Sequence, residues 1–331
     1  MRPTTPLPAA LREGVFTRRG AEALGVPPKR LRAQDVARIG HGLYRWNGGT
    51  LDDGRADAVG LLPRAPQEGP PGRRVQPDGT LLRMLRQIQD EYTGSWFSHT
   101  TAARLHGLQL PGWAGDESVV HLSRPQISTT TRRSPQLRSH AVVVEPGEVV
   151  DVAGLRVSRP GRVFFDLMGA LPERELVALG DQLVRRPHAE LEGRDEPWET
   201  PSSLATLVAA HRRTKGIVKG RRALDQVRIG ADSRPETLLR LAILDAGLPE
   251  PQLQVRPRPG SPWSGDLGYE DRLIVLQYEG AGHFSAAQQA RDQRRNFAFV
   301  QDGWTVLPVN VEDLRDGFRR VVARLLLAFD G

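Results

Sequence analysis

Residues 273–284 read LIVLQYEGAGHF: an apolar run that ends in Gln277, Glu279, Gly280 and His283 almost together. Carboxylate, amide and backbone oxygens crowded at a strand end are the ligands a hard divalent cation takes. The preceding segment supplies a further acid. Residues 252–257, 266–270 and 273–279 each read as a strand, with Glu270, Asp271 and Arg272 turning the chain between the last two. If Asp271 and Arg272 are the turn pair, 270 faces 273, 268 faces 275 and 266 faces 277. Directly opposed residues have Cβ atoms about 4.5–5.5 Å apart and share a face. Alternation then puts Val275, Gln277 and Glu279 on that face and turns Ile274, Leu276 and Tyr278 into the core. Asp266, Gln277 and Glu279 are therefore expected to converge and to hold Mg²⁺ or Mn²⁺. Such an ion activates water and neutralises charge on a phosphodiester transition state; without it, Asp266 and Glu279 would repel.

The elements that position these residues are legible around them. Ser233 has the character of an N-cap and Glu236, three residues on, completes a capping box, so a helix is expected from there to Ala246, stopped by Gly247. Upstream, residues 203–227 read as a helix that carries HRRTKGIVKGRRALDQVR, the most basic run in the chain. Arg212, Arg213, Lys215, Lys219, Arg221 and Arg222 in that run are candidates for contact with a phosphate backbone. Residues 187–230 are read as a linker followed by this helix, and 231–331 as the last domain. At the other end, a helix from Phe16 and Thr17 through Leu24, a turn at 25–28, a second helix over 29–37 and a strand or wing over 40–46 follow helix-turn-helix grammar. Residues 1–48 form that unit, with Arg30 and Arg32 as DNA-binding candidates. Residues 49–80 read as a flexible Pro/Gly/Arg insertion. Residues 81–186 read as a mixed α+β domain, with helices at 81–92, 162–167 and 173–186, a helix capped by Ser98, and strands at 119–122, 139–145 and near 157.

With 331 residues, two or three domains are expected. The sequence has no cysteine, which excludes disulfides and thiolate metal sites. No apolar run approaches 18 residues and the start lacks a signal peptide's apolar centre, so a cytoplasmic protein with no membrane partner is expected. The net charge of +7 is unevenly spread: residues 1–48 carry nine Arg and Lys against three acids, 201–230 carry seven against one, and 231–331 carry twelve against fourteen. Basic surface outside the last domain suits a polyanion. The sequence contains no GxGxxG, Walker loop, HExxH or GxSxG, which argues against nucleotide-cofactor and serine-hydrolase readings. His99 and His106 lack acidic partners at ligand spacing, and a helix-packing role is expected for both. Trp304 is expected to pack in the core.

Asp266, the run Gln277-Tyr278-Glu279-Gly280, His283, Asp292, Arg295 and the run 303–307 together resemble a group of bacterial proteins whose last domain is similar to the very-short-patch-repair endonuclease, within the PD-(D/E)xK superfamily. Over roughly 231–331 the resemblance implies a restriction-endonuclease-like three-layer αβββαβ core. It also implies a catalytic set of Glu236, Asp266, Gln277, Glu279 and His283, with Asp292 and Arg295 flanking it and Arg295 facing phosphate. The chain departs from that pattern in two places: Gln277 stands where the group has Glu, and Glu279 fills the superfamily's lysine position, with no lysine after Lys219. The front of the chain, through Gly42-Leu43-Tyr44, residues 98–108, Arg162, Asp166 and Leu167, resembles AbiEi-like antitoxins, in which a winged helix precedes an antitoxin-type domain. Two functions remain open at this stage. One is a Mg²⁺-dependent DNA endonuclease. The other is an antitoxin-like regulator that binds DNA without cutting, with a cognate toxin as its partner. An α+β multidomain fold is common to both.

Overall fold

The computed structural model describes residues 5–12, 14–47, 79–114, 119–126, 136–212, 214–280 and 286–330. His283, Arg213 and most of the 49–80 insertion lie outside them. The protein is a mixed α+β chain that divides into two compact units. The first contains the described residues up to 166 except 107–111. The second contains 107–111 and the residues from 167 onward.

The first unit opens with a three-stranded sheet in the order β1-β3-β2, made of β1 (Val15–Thr17), β2 (Val36–Gly40) and β3 (Leu43–Trp46). Helix α1 (Arg18–Ala23) follows β1 directly because the Thr17 hydroxyl accepts the Gly20 N–H at 2.8 Å. The expected second helix over 29–37 is only a 3-10 turn, Pro28–Arg32, after which the chain enters β2. Arg30 is the reason. Its guanidinium grips both Asp35 oxygens, at 2.7 and 2.6 Å, and donates to the Thr5 carbonyl at 2.6 Å, which folds residues 33–35 back.

The same unit continues through α2 (Gly79–Glu91), β4 (Trp96–Phe97), α3 (His99–Leu105), β5 (Val120–Pro125), β6 (Leu137–Val142), β7 (Val149–Val152), β8 (Leu155–Ser158) and α4 (Pro160–Leu167). Its five strands run β6-β5-β4-β8-β7. Beneath α4 lies a buried ionic knot in which Arg162 bonds Glu148, Asp166 at 2.8 Å and the Val143 carbonyl at 2.8 Å. Ser98 occupies the N-cap position of α3 but makes no capping bond, contrary to the expectation; its hydroxyl meets Ser123 and His99 instead.

The second unit begins with four helices, α5 (Glu173–Val184), α6 (Ala189–Glu192), α7 (Pro201–Ala210) and α8 (Ile217–Gln226). The long helix expected over 203–227 is broken between α7 and α8. Gly216 sits there at φ +87°, where a Cβ would run into the Met168 carbonyl group. Only glycine accepts that backbone and that approach. Gly216→Ala is expected to lower the unfolding free energy of this unit by about 1–3 kcal/mol. A shift in thermal midpoint below that of a surface Gly→Ala control would refute it.

The unit closes with α9 (Arg234–Asp245), β9 (Gln252–Val255), β10 (Gly265–Tyr269), β11 (Ile274–Glu279), α10 (Ala286–Gln301), β12 (Thr305–Asn310), α11 (Val311–Arg315) and α12 (Arg319–Asp330). The sheet order is β12-β11-β10-β9, antiparallel except for the parallel β11–β12 pair that α10 connects. Both faces of this sheet are covered. Leu239 and Ile243 of α9 and Val321 and Leu325 of α12 pack with Leu267, Ile274 and Leu276 on one side. Phe299 of α10 and Trp304 pack with Val255 and Val275 on the other. The two outer strands differ: Gln254 in β9 has φ +54°, while β12 pairs without a break with β11 and carries an exposed proline, Pro308, that has no N–H to offer.

Candidate functional site

The hairpin that should build the site has the expected register, with Gly268 opposite Val275 and Leu267 opposite Leu276. A turn over residues 270–273, with Leu273 left-handed at φ +51°, joins Tyr269 to its partner Ile274 and sets that register; the Leu273 N–H closes on the Glu270 carbonyl at 3.4 Å. Ile274, Leu276 and Tyr278 do face the α9 side. The chemistry at the end of the ladder differs from the expectation. Ladder pairing stops at Leu267 and Leu276, and the Tyr278 N–H donates to Asp266 Oδ2 at 2.6 Å. The Asp266 carboxylate thus takes over an amide of the neighbouring strand.

Gln277 is fully buried (0% exposed), on the strand face that α10 covers, and neither its Oε1 nor its Nε2 has a partner among the described residues. Glu279, two residues on, is exposed. The expected convergence of Asp266, Gln277 and Glu279 on one open face is therefore corrected. Layer packing on both sides of the sheet buries the middle residue and leaves the last in solvent.

The acid that Asp266 influences electrostatically is instead Glu236, in the first turn of α9. Ser233 caps that helix by accepting the Glu236 N–H at 3.4 Å. The Glu236 carboxylate accepts the Ser233 hydroxyl at 2.7 Å and the Asp232 N–H at 2.8 Å. The side chain is buried, and burial first, then the Asp266 and Asp232 carboxylates, hold its pKa well above the usual range. Burial likewise pushes Asp266 up to about 6, opposed by Arg295 and the Tyr278 N–H and reinforced by Asp232 and Asp292. Arg295 of α10 is itself tied to Asp292 at 3.3 Å. Glu236, Asp266, Asp232 and the Asp292–Arg295 pair form one electrostatic neighbourhood.

The basic candidates divide in the same way. Arg30 is buried and spent on Asp35 and Thr5, so the phosphate role expected for it is corrected. Arg32 is exposed and lines a cleft of about 590 Å³ with Arg18, Arg19, Arg38 and His41 and with two acids, Glu22, which pairs with Arg18 at 2.7 Å, and Glu91. Arg212, Lys215, Arg221 and Arg222 are exposed, and Lys219 of α8 is half-buried.

The sequence reading missed a second cluster. His99, His121 and His140 present ring nitrogens that all lie within 4.8 Å of one another. Among the described residues this is the one group of three or more His, Asp or Glu side chains with that spacing. The packing role expected for His99 is thereby enlarged, while His106 does pack: it is buried and its Nε2 meets the Ser158 carbonyl at 2.8 Å. Burial, then Arg138, pushes His140 down to about 4, and burial, then His140 and His121, pushes His99 well below the ordinary value. The signal lay in the parallel pairing of β5 with β6, which no local pattern announces.

No family model matches the chain. It is similar to two Mycobacterium tuberculosis proteins named only as uncharacterized, Rv2248 of strain H37Rv and MT2308 of strain CDC 1551. Each is 33% identical over 132 residues, 39% of this chain and 49% of the relative. The chain thus spans about half the length of these curated relatives. A weaker similarity, 30% identity over 167 residues, joins 46% of the chain to 26% of MnmG of Thermus thermophilus, a tRNA uridine 5-carboxymethylaminomethyl modification enzyme.

Proposed function

We propose that the chain acts on DNA, through an endonuclease-like carboxy-terminal domain of the PD-(D/E)xK type whose metal-dependent site hydrolyses phosphodiesters. The observation that carries this reading is the Glu236–Asp266 pair. Two acids 30 residues apart in sequence lie within electrostatic reach of each other where the β10–β11 ladder ends: burial and then Asp266 raise the Glu236 carboxyl, and burial raises Asp266. The αβββαβ order from α9 to β12 supports it, as does the amino-terminal unit of a short helix and a β2–β3 wing beside the arginine-rich cleft that Glu22 and Glu91 also line.

The residues fit Mg²⁺ in a limited way. Gln277 Oε1 is a buried oxygen without a hydrogen-bond donor among the described residues. Asp266 has one oxygen beyond the one that accepts Tyr278 N–H. Among the described residues, Glu236, Asp266 and Glu279 do not make a three-acid cluster within 4.8 Å. That donor set suits an ion held by one or two protein oxygens and otherwise by water and phosphate. Such an ion would supply charge neutralisation at the phosphodiester and a more acidic water. The chain's own residues then hold and move protons: Asp266, up at about 6, accepts one from water near neutral pH, and Glu236 beside it keeps one. Arg32, Arg221, Arg222 and Lys215 contact the backbone of the duplex.

A second reading, an antitoxin-like regulator that binds DNA without cutting, is favoured by one observation: a neutral, fully buried Gln277 in place of a carboxylate. A plasmid-nicking assay with Mg²⁺ or Mn²⁺ separates the two. Under the nuclease reading the wild type nicks and Asp266→Ala is slower by ~100-fold or more, the loss that follows from about 3 kcal/mol of transition-state stabilisation. If neither protein nicks while both bind duplex with a steep salt dependence, the regulator reading replaces it.

A further inference from the structure

We propose that His99, His121 and His140 form a binding site for a divalent transition-metal cation of the Zn²⁺ class, separate from the acidic site of the second unit. The three rings come from different elements of the first unit. His121 stands on β5 and His140 on β6, diagonal neighbours in a register that pairs His121 with Arg138 and Ser123 with His140. His121 Nδ1 lies 2.9 Å from His140 Nε2. The third ring is that of His99, the first residue of α3, which stacks on His140 with centroids 3.7 Å apart.

Several features hold His99 in place. Its backbone is left-handed, φ +51°, a conformation that costs a non-glycine residue free energy and persists where the surroundings enforce it. They do so here: the Ser98 N–H donates to the His121 carbonyl at 3.1 Å, and the His121 N–H donates to the Thr101 hydroxyl at 2.9 Å. Ser98 Oγ, bonded at 2.7 Å by Ser123, also meets His99 Nδ1 at 3.0 Å. That contact orients the ring and leaves Nε2 as the donor to a metal, the arrangement by which a second shell fixes a ligating imidazole.

All three residues are partly exposed, and a water can complete the ion's shell as its fourth ligand. An all-imidazole donor set suits Zn²⁺, Co²⁺, Ni²⁺ or Cu²⁺ and not Mg²⁺ or Ca²⁺. With bonds of about 2.0–2.1 Å, nitrogens around a tetrahedral ion stand about 3.3–3.4 Å apart. The 2.9 Å His121–His140 contact must therefore open by about half an ångström, with the ion replacing that hydrogen bond. A ligating nitrogen also directs its lone pair in the ring plane, so the stack, whose planes differ by 11–28°, has to fan out on loading. Loading thus has a structural signature of its own.

The test uses the full chain, stripped with a chelator and titrated with Co²⁺ and with Zn²⁺ in the presence of millimolar Mg²⁺. One ion per chain is expected, with a visible tetrahedral Co²⁺ band and shifted His Cε1–H resonances. In His140→Ala and His121→Ala, checked for folding by circular dichroism, affinity should fall by more than ~10-fold, the loss that removal of even a second-shell partner brings. Asp266→Asn should leave stoichiometry and band unchanged. Wild type that takes up no Co²⁺ or Zn²⁺, or a folded His140→Ala that binds as tightly as wild type, would overturn the site. If both alanine variants fail to fold, the His resonances of the wild type decide: no shift on Zn²⁺ addition overturns it too.

Discussion

Arg162→Ala is expected to destabilise the first unit by about 3–5 kcal/mol, the cost of breaking a buried ion pair from one side. Arg162 is 1% exposed and pairs with both Glu148 (3% exposed) and Asp166. Without it, two buried carboxyls lose the guanidinium that neutralises them. Burial already holds Asp166 above the ordinary carboxylate value even with Arg162 present. Truncation therefore leaves acids that must take up protons to remain inside. Native-state hydrogen exchange of the α4 and β8 amides reports the loss without requiring the whole chain to unfold at once. The loss should shrink as pH falls toward the ordinary carboxylate range, where the stranded acids are protonated. A pH-independent loss below about 1 kcal/mol would show that the knot is not the support assigned to it.

Asp266→Asn is expected to act in the opposite direction and to stabilise the second unit at neutral pH. The folded-state pKa of Asp266, about 6, lies above its ordinary 3.8. Between those values the folded chain binds more protons than the unfolded chain, so stability falls as pH rises from about 4 to about 6. At about 1.36 kcal/mol per pH unit, relief of that shift is worth about 1–3 kcal/mol at neutral pH. The amide oxygen of asparagine can still accept the Tyr278 N–H, so the end of the ladder is retained. Urea unfolding of both proteins at about pH 3.5 and about pH 7.5 checks the claim: the two should differ at the higher pH and nearly coincide at the lower. A variant less stable than wild type at the higher pH would mean that the carboxylate is structural. Stability gained where proposed activity is lost is what a strained functional group produces.

Much of the second unit was legible in the sequence because local chemistry dictates it. Ser233 and Glu236 announced the start of α9, and the turn at Asp271 and Arg272 set the hairpin register to the residue. Alternation named Ile274 and Leu276 as core. It could not tell that the other face of β11 is also roofed, because Phe299 and Trp304 arrive from across a helix and a parallel strand. Gln277 was therefore placed on an open face that does not exist. The pairing of Glu236 with Asp266 rested on resemblance, and the position of His283 lies outside the described residues. In the first unit, Arg30 looked like a surface cation on a helix. Its partner Asp35, five residues on, converts it into an internal clamp and the helix into a turn. The histidine cluster was invisible because its members are 19 to 41 residues apart and meet through side-by-side parallel strands.

The two outer strands of the second unit's sheet bear on its behaviour in concentrated solution. An unbroken outer strand offers a row of free amides and carbonyls on which a neighbouring molecule can lay its own strand. Pro308 deletes one donor from the β12 rim, and the left-handed Gln254 bends the β9 rim out of line. Molecules that meet rim to rim find no continuous template, and the open sheet is kept from polymerising.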